Sequence, residues 1–149
     1  MQDTVEYYRR RLPFEGEGIR IEFHPGNLPK TRINNELFAW AVENLVKNSL
    51  QAVDSRNGLV TVSTRVHETP RRIVIRVEDN GRGIPPGAAR KIFRPGFTTK
   101  KRGWGMGLTL VKRIVEDYHG GRVLLAQTGP GKTVFEIFLP LVEETENQQ

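Results

Sequence analysis

The sequence predicts an α/β (α+β) two-layer sandwich, in which a mixed sheet of about five strands carries three helices on one face. Segments in which apolar and polar residues alternate at period two indicate strands, and apolar residues at helical spacing indicate amphipathic helices. Both kinds of segment present one apolar face, which a second layer must cover. The predicted strands span 19–23, 59–66, 72–78, 122–128 and 132–139.

Four of these strands are predicted to form two hairpins. The turn His67-Glu68-Thr69-Pro70 joins the second and third strands, and Gly129-Pro130-Gly131 joins the last two. Turn residues between two period-two segments are the usual signature of a hairpin.

The predicted helices lie before, between and after these strands. A short helix over 3–12 ends at Pro13, and a later one runs from Leu108 to Tyr118, where Gly120-Gly121 closes it. The longest helix is capped by Asn34 or Asn35 and ends at 57–58. Its expected core face consists of Phe38, Val42, Leu45, Ser49, Ala52 and Val53.

Composition indicates one globular domain. The chain has 149 residues, of which 37% are hydrophobic and 27% charged, and it has no cysteine, which excludes disulfides and thiolate metal sites. We expect residues 19–140 to form the domain, 1–18 to be a linker with a short helix, and 141–149 to be a polar tail. The sequence shows neither a signal peptide nor an apolar run long enough to span a membrane. We therefore expect a cytoplasmic domain without membrane contact of its own, either as a separate protein or as the cytoplasmic portion of a membrane-anchored one.

The net charge of +6 is compatible with a nucleic-acid partner. However, the basic residues are scattered, and their tightest clusters, at 9–11 and 100–102, match no nucleic-acid-binding motif. We therefore predict no nucleic-acid partner.

The segment 79–107 carries the strongest functional signal. A predicted strand runs into Asp79-Asn80-Gly81-Arg82-Gly83, a basic loop follows, and Gly103-x-Gly105-x-Gly107 opens onto a helix. A carboxylate can accept a hydrogen bond from an amine of a ligand, and glycine amides at a helix N-terminus can bind anionic groups. This pattern predicts a nucleotide site with the base at Asp79 and the phosphates near Gly105 and Gly107.

Two asparagines mark the longest predicted helix. Asn44 and Asn48 are four residues apart, so they stack on one side of the helix beside its apolar stripe. Asparagine lowers helix propensity and contributes little to packing, which favours a functional reading over a merely solvated face.

With these pieces in order, the chain resembles the catalytic ATP-binding (HATPase, Bergerat-fold) domain of sensor histidine kinases over about residues 19–140. The segments ENLVKNSLQA, DNGRG, KIFRPGFTTKK, RGWGMGL and GPGKTVFEIFLP resemble that family's motifs in the family's order. The resemblance implies that the domain binds Mg-ATP, with a magnesium ion held by Asn48.

The resemblance also implies roles for other residues. Asn44 would help to hold the metal and phosphates, Asp79 would accept from the adenine amino group, and Ile84 would pack on the purine. Phe93 would anchor a mobile lid, from which Lys100 would reach the phosphates. Asn44, Asn48 and Lys100 are the predicted catalytic residues. The remaining predicted contacts to the nucleotide are Gln51, Ala52, Gly81, Gly83, Thr98, Thr99, Gly103, Gly105, Met106, Gly107, Leu108 and Thr133.

One departure from the wider superfamily bears on activity. Its ATP-hydrolysing branches carry a glutamate, as general base for water, at the position of Asn44. Glu43 lies one residue earlier, about 100° around the helix. Without that base, the site should preserve ATP for another acceptor, which favours a kinase over an ATPase.

The resemblance implies an acceptor histidine on a separate dimerisation domain and onward transfer to a response-regulator receiver domain. His67 lies in a predicted turn, and His24 and His119 precede turn residues, so none is the expected acceptor. The isolated chain is expected to be a monomer. Two alternatives remain open: a stand-alone serine kinase and anti-sigma factor of the same superfamily, which the chain length fits, and a non-catalytic nucleotide-dependent docking module.

Overall fold

The computed structural model describes residues 18–29, 33–94 and 107–141. Within these ranges the strands are β1 (Ile19–His24), β2 (Gly58–Glu68), β3 (Arg71–Asp79), β4 (Arg122–Gly129) and β5 (Lys132–Pro140). The helices are α1 (Asn35–Ala52), the short α2 (Pro86–Ala89) and α3 (Gly107–Lys112), which continues as a π-helix over Arg113–Tyr118. The helix predicted over 3–12 and the tail beyond residue 141 lie outside the described residues.

The five strands form one mixed sheet in the order β1-β2-β3-β5-β4. β1 pairs with β2 in parallel, and the other neighbours are antiparallel. Both predicted hairpins are present. The predicted two-layer architecture is therefore confirmed.

The core lies between one face of the sheet and the long helices. Leu45 of α1, Ile75 of β3, Val111 of α3 and Ile137 of β5 are each at most 2% exposed and belong to one cluster. This cluster fixes α1 against the centre of the sheet, so the polar side of α1 lies next to the ends of the central strands. None of the helices in the described ranges is long and apolar enough to cross a bilayer.

The N-terminal end of α1 is held by side chains from two segments. The Asn34 side chain accepts a hydrogen bond from the Leu37 amide at 3.0 Å, which selects Asn34 as the cap. The Asn34 amide donates to Nε2 of His119 at 3.0 Å, and Nδ1 of His119 donates to the Ile114 carbonyl at 2.7 Å. His119 therefore has a structural role, joining α1 to the end of the π-helix.

Two predicted boundaries are corrected. α1 ends at Ala52 and not at 57–58, because Val53 is extended and the Arg82 amide donates a hydrogen bond to the Ala52 carbonyl at 3.2 Å. β2 continues through His67 and Glu68, which the sequence had placed in the turn, because they pair with β3. The other strand and helix ends differ from the predictions by one or two residues, which is within the usual uncertainty of helix and strand ends.

Candidate functional site

The polar side of α1 forms one wall of the candidate site. Asn44, Asn48 and Ala52 follow one another at intervals of four residues, so they form a line of roughly 12 Å along the helix. Nδ2 of Asn44 donates to the Trp40 carbonyl at 2.8 Å, one turn earlier. A Cβ atom placed on Gly107 would lie 3.5 Å from Oδ1 of Asn44. The amide oxygen of Asn44 therefore faces the first residue of α3.

The turn at 79–83 lies against the C-terminal end of the same helix. Its Arg82 amide donates to the Ala52 carbonyl, and Nη1 of Arg82 donates to the Gln51 carbonyl at 3.3 Å. A Cβ atom on Gly81 would lie 2.5 Å from the Ala52 carbonyl oxygen, so only glycine fits this close approach. The structure thus brings Gly107 to one end of the α1 line and the 79–83 turn to the other.

Asp79 is a buried carboxylate at the end of β3, only 3% exposed. Burial raises the pKa of Asp79 above its ordinary value of 3.8, and the charge of Glu78 acts in the same direction. The Gly81 amide, which donates to Oδ1 at 2.9 Å, opposes the rise, as do Ser49 and Arg82. Within the described part of the chain this carboxylate forms no salt bridge, so no cationic side chain there occupies its oxygens.

Two threonines lie on the other side of Asp79. Thr133 of β5 is directly opposite Asp79 in the sheet and is 3% exposed. Its hydroxyl lies 3.0 Å from that of Thr128, which accepts from the Ile84 amide at 2.8 Å. These contacts bring Asp79, Ile84 and Thr133, three of the predicted base contacts, into one polar cluster.

The glycines of the β4–β5 hairpin hold the 79–83 turn in place. The Gly131 amide donates to the Gly81 carbonyl at 2.8 Å. Gly83 has φ +84°, and a Cβ atom there would lie 2.5 Å from the Gly129 carbonyl oxygen. Both the positive φ and the close approach require glycine at position 83.

Phe93 lies where α3 meets the sheet. Its ring meets Phe135 edge-on, with centroids 6.3 Å apart, and its carbonyl accepts from the Thr109 hydroxyl at 3.0 Å. Leu108 is half-buried beside the same core. The segment after Phe93 therefore starts from a fixed point. Six predicted contacts lie outside the described residues and stay predictions: Thr98, Thr99, Lys100, Gly103, Gly105 and Met106.

Two residues of this cluster were not predicted as site residues. Ser49 was assigned only to the core face of α1, and Thr128 only to a strand. Thr128 was recognisable in principle, because it faces Thr133 across a tight hairpin. Nothing local in the sequence distinguishes Ser49 from a small core residue.

Comparison with known proteins identifies the family of this chain. Residues 34–143 match the model of the family described as histidine kinase-, DNA gyrase B-, and HSP90-like ATPase. The chain is 34% identical over 148 residues to the sensor protein TdiS of Thauera aromatica, covering 95% of this chain and 26% of TdiS. It is 33% identical over 158 residues to the sensory histidine kinase/phosphatase NtrB of Azospirillum brasilense, covering 96% of this chain and 39% of NtrB. The chain thus spans well under half of these relatives.

Solved structures show the same fold. A nucleotide-free catalytic domain of histidine kinase ThkA superposes with a TM-score of 0.80 at 25% identity, covering 94% of this chain and 89% of that one. The mycobacterial sensor histidine kinase MprB superposes with a TM-score of 0.75 at 26% identity, covering 95% of each chain. The chain belongs to the histidine kinase-, DNA gyrase B- and HSP90-like ATPase family, as a catalytic ATP-binding domain of the sensor histidine kinase type.

Proposed function

We propose that this domain binds Mg-ATP along α1 and donates the γ-phosphate to a histidine on a dimerisation and phosphoacceptor domain. One observation carries the proposal. The 79–83 turn is hydrogen-bonded to Ala52, and Gly107 lies beside Asn44 on the same line of α1. A ligand with a hydrogen-bonding base at one end and anionic groups at the other fits this arrangement.

The adenine base would bind at the end of the site that contains Asp79. The carboxylate accepts from the 6-amino group of adenine. Gly81 and Gly83 pack closely against the carbonyls of Ala52 and Gly129, and so hold the backbone of the 79–83 turn where it approaches the base. Ile84 is half-buried and packs against the purine, while Thr133 bonds near the ring directly or through water. Gln51 and Ala52 complete the wall at the end of α1.

The phosphates and the metal would lie at the Asn44 end. Asn48 is the proposed magnesium ligand, and Asn44 supports the metal and phosphates through its amide oxygen. Two amide oxygens suit a hard cation that keeps part of its water shell and shares phosphate oxygens. When bound, the cation offsets negative charge on the phosphates. Backbone amides at Gly103, Gly105 and Gly107, next to Met106 and Leu108, add donors at the start of α3.

The lid residues belong to the same proposal. Phe93 fixes one end of the segment, from which Thr98, Thr99 and Lys100 reach the phosphates. Lys100 neutralises charge that develops during transfer. Asn44 stands where hydrolytic relatives carry a glutamate, and a neutral amide cannot accept a proton from water. Transfer to a protein acceptor is therefore favoured over hydrolysis.

Other parts of the protein follow from this assignment. We propose that residues 19–140 form the catalytic domain, with 1–18 as its linker and 141–149 as a polar tail. The domain is monomeric in isolation and acts in the cytoplasm, and phosphate passes from the acceptor histidine to a receiver domain.

A trans-phosphorylation assay tests this function. The purified chain is incubated with γ-labelled ATP, magnesium and an isolated acceptor hairpin, and acid-labile, base-stable label on the hairpin is the expected result. Acid-stable label on an anti-sigma antagonist would instead identify the serine kinase alternative. Nucleotide binding without label on either acceptor would support the docking module.

A further inference from the structure

Asn80, the residue after Asp79, uses its side chain to extend the sheet at the point where the chain leaves β3. Its backbone amide donates to the Leu59 carbonyl at 3.2 Å, and its Oδ1 accepts from the Leu59 amide at 2.9 Å. The Leu59–Asn80 pair follows the Val60–Asp79 pair in the antiparallel register of β2 and β3, where two opposed residues can exchange both backbone hydrogen bonds. The side-chain oxygen thus takes the place of a backbone carbonyl, and the backbone can turn towards Gly81.

The same side chain also holds the segment that precedes β2. Nδ2 of Asn80 donates to the Asn57 carbonyl at 2.7 Å. That segment is itself closely packed against the start of β1, because a Cβ atom on Gly18 would lie 2.2 Å from the Ser55 carbonyl oxygen. Asn80 therefore fixes the beginning of the 79–83 turn to a closely packed part of the backbone.

The position of residue 80 bears directly on the carboxylate beside it. The Gly81 amide donates to Oδ1 of Asp79 at 2.9 Å, so a displacement of the backbone at 80–81 also changes the surroundings of that carboxylate. Asn80 itself is exposed, so water can replace its hydrogen bonds and no core packing depends on its side chain. These contacts favour a role in positioning the turn over a role in packing.

We propose that Asn80 is a positioning residue for nucleotide binding, which sets the direction of the Asp79 carboxylate towards the 6-amino group of adenine without contacting the nucleotide. The inference rests on the proposed ATP site. The strength of a hydrogen bond depends on its distance and angle, so a displaced carboxylate loses part of its bond to the amino group. Loss of the Asn80 side chain should therefore weaken recognition of the amino group and leave binding of the phosphates intact.

The test measures the preference of the whole chain for ATP over purine riboside triphosphate, which is ATP without the 6-amino group. Titration calorimetry with magnesium gives both affinities. The wild type should prefer ATP roughly 10- to 150-fold, the effect of one hydrogen bond to a charged group. Asn80→Ala should lower this preference roughly two- to ten-fold, within the range of coupling between neighbouring groups. The loss should come from weaker ATP binding, with the affinity for purine riboside triphosphate unchanged.

Two further variants separate positioning from a general loss of structure. Asn80→Asp keeps an acceptor for the Leu59 amide but has no donor for the Asn57 carbonyl, and its added charge acts on both triphosphates alike. It should keep a larger preference for ATP than Asn80→Ala. Asn27→Ala removes an exposed asparagine beyond the end of β1 that is far from the 79–83 turn, and should leave the preference unchanged. Partial unfolding would reduce the binding of both nucleotides equally and would not change their ratio.

The outcomes distinguish this inference from the proposed function. An unchanged preference in Asn80→Ala, or an equal loss of affinity for both nucleotides, would overturn the inference and leave the proposed function standing. A preference in Asn80→Asp no larger than that in Asn80→Ala would also overturn it, because the bond to Leu59 would then not be the positioning contact. Wild-type protein that binds no ATP would remove the proposed function itself, and the inference with it.

Discussion

Replacing Asp79 with asparagine should separate ligand binding from stability. In Asp79→Asn, Oδ1 can still accept from the Gly81 amide, which donates at 2.9 Å in the wild type. The side-chain NH2 group of the new asparagine then faces the ligand. Because this group and the 6-amino group of adenine are both hydrogen-bond donors, they cannot bond to each other. A hydrogen bond to a charged group contributes about 1.5–3 kcal/mol, so ATP affinity should fall roughly 10- to 150-fold.

The free energy of unfolding of Asp79→Asn, unlike its ATP affinity, should not fall. The pKa of Asp79 is raised above 3.8 in the fold, chiefly by burial. The protonated form therefore stabilises the fold relative to the ionised form. That contribution is complete below pH 3.8 and is lost as the pH rises through the raised pKa. At neutral pH the wild type carries a buried charge that Asp79→Asn lacks, so the variant should unfold at an equal or higher urea concentration.

The assay combines titration calorimetry with urea unfolding at pH 7 and at acidic pH. Asp54→Asn is the control, because Asp54 is exposed and its side chain accepts from the nearby Arg56 amide at 2.7 Å. It should leave ATP affinity unchanged. Unchanged ATP affinity in Asp79→Asn would remove Asp79 from the site. If Asp79→Asn lost both ATP affinity and a large part of its unfolding free energy, Asp79 would support the fold and would not be shown to contact the base.

Three further substitutions test the packing and the metal end. Gly81→Ala would bring a Cβ atom 2.5 Å from the Ala52 carbonyl oxygen, so the free energy of unfolding should drop by about 1–3 kcal/mol in urea titration and ATP affinity should fall in calorimetry. Gly87→Ala is the control, because a Cβ atom there has nothing within 4 Å, and it should change neither quantity. Asn48→Ala should bring the ATP affinity measured with magnesium close to that measured in EDTA, and an undiminished magnesium effect would exclude Asn48 as the ligand. Leu45→Ala, at a side chain that is 0% exposed, should lower the free energy of unfolding by about 2–5 kcal/mol in urea titration, and a loss under about 1 kcal/mol would contradict its place in the core.

The sequence predicted the architecture because each element carries its own periodic signal. The alternation in β2, β3 and β5 and the apolar stripe of α1 are local patterns, and the structure contains all of them. The end of α1 was misplaced because Ala52 is capped by Arg82, a residue far along the chain that no local pattern reveals. The π-helix at Arg113–Tyr118 likewise has no signal in the sequence that we could use.

The candidate site shows the same division. Asp79, Asn44 and the glycines are predicted from motifs, because their residue types and spacing indicate nucleotide chemistry. Ser49 depends on which segments pack together, and this is fixed only by the fold. A serine one residue after an asparagine on an amphipathic helix resembles any small core residue until the partner strand is known.

The most direct test of the proposed site is a crystal structure of the domain with magnesium and a non-hydrolysable ATP analogue. We expect the adenine amino group within hydrogen-bond distance of the Asp79 carboxylate, and the magnesium ion bound by the Asn48 side chain near Gly107. A base bound away from Asp79, or phosphates bound on a face of the domain without Asn44 and Asn48, would contradict it.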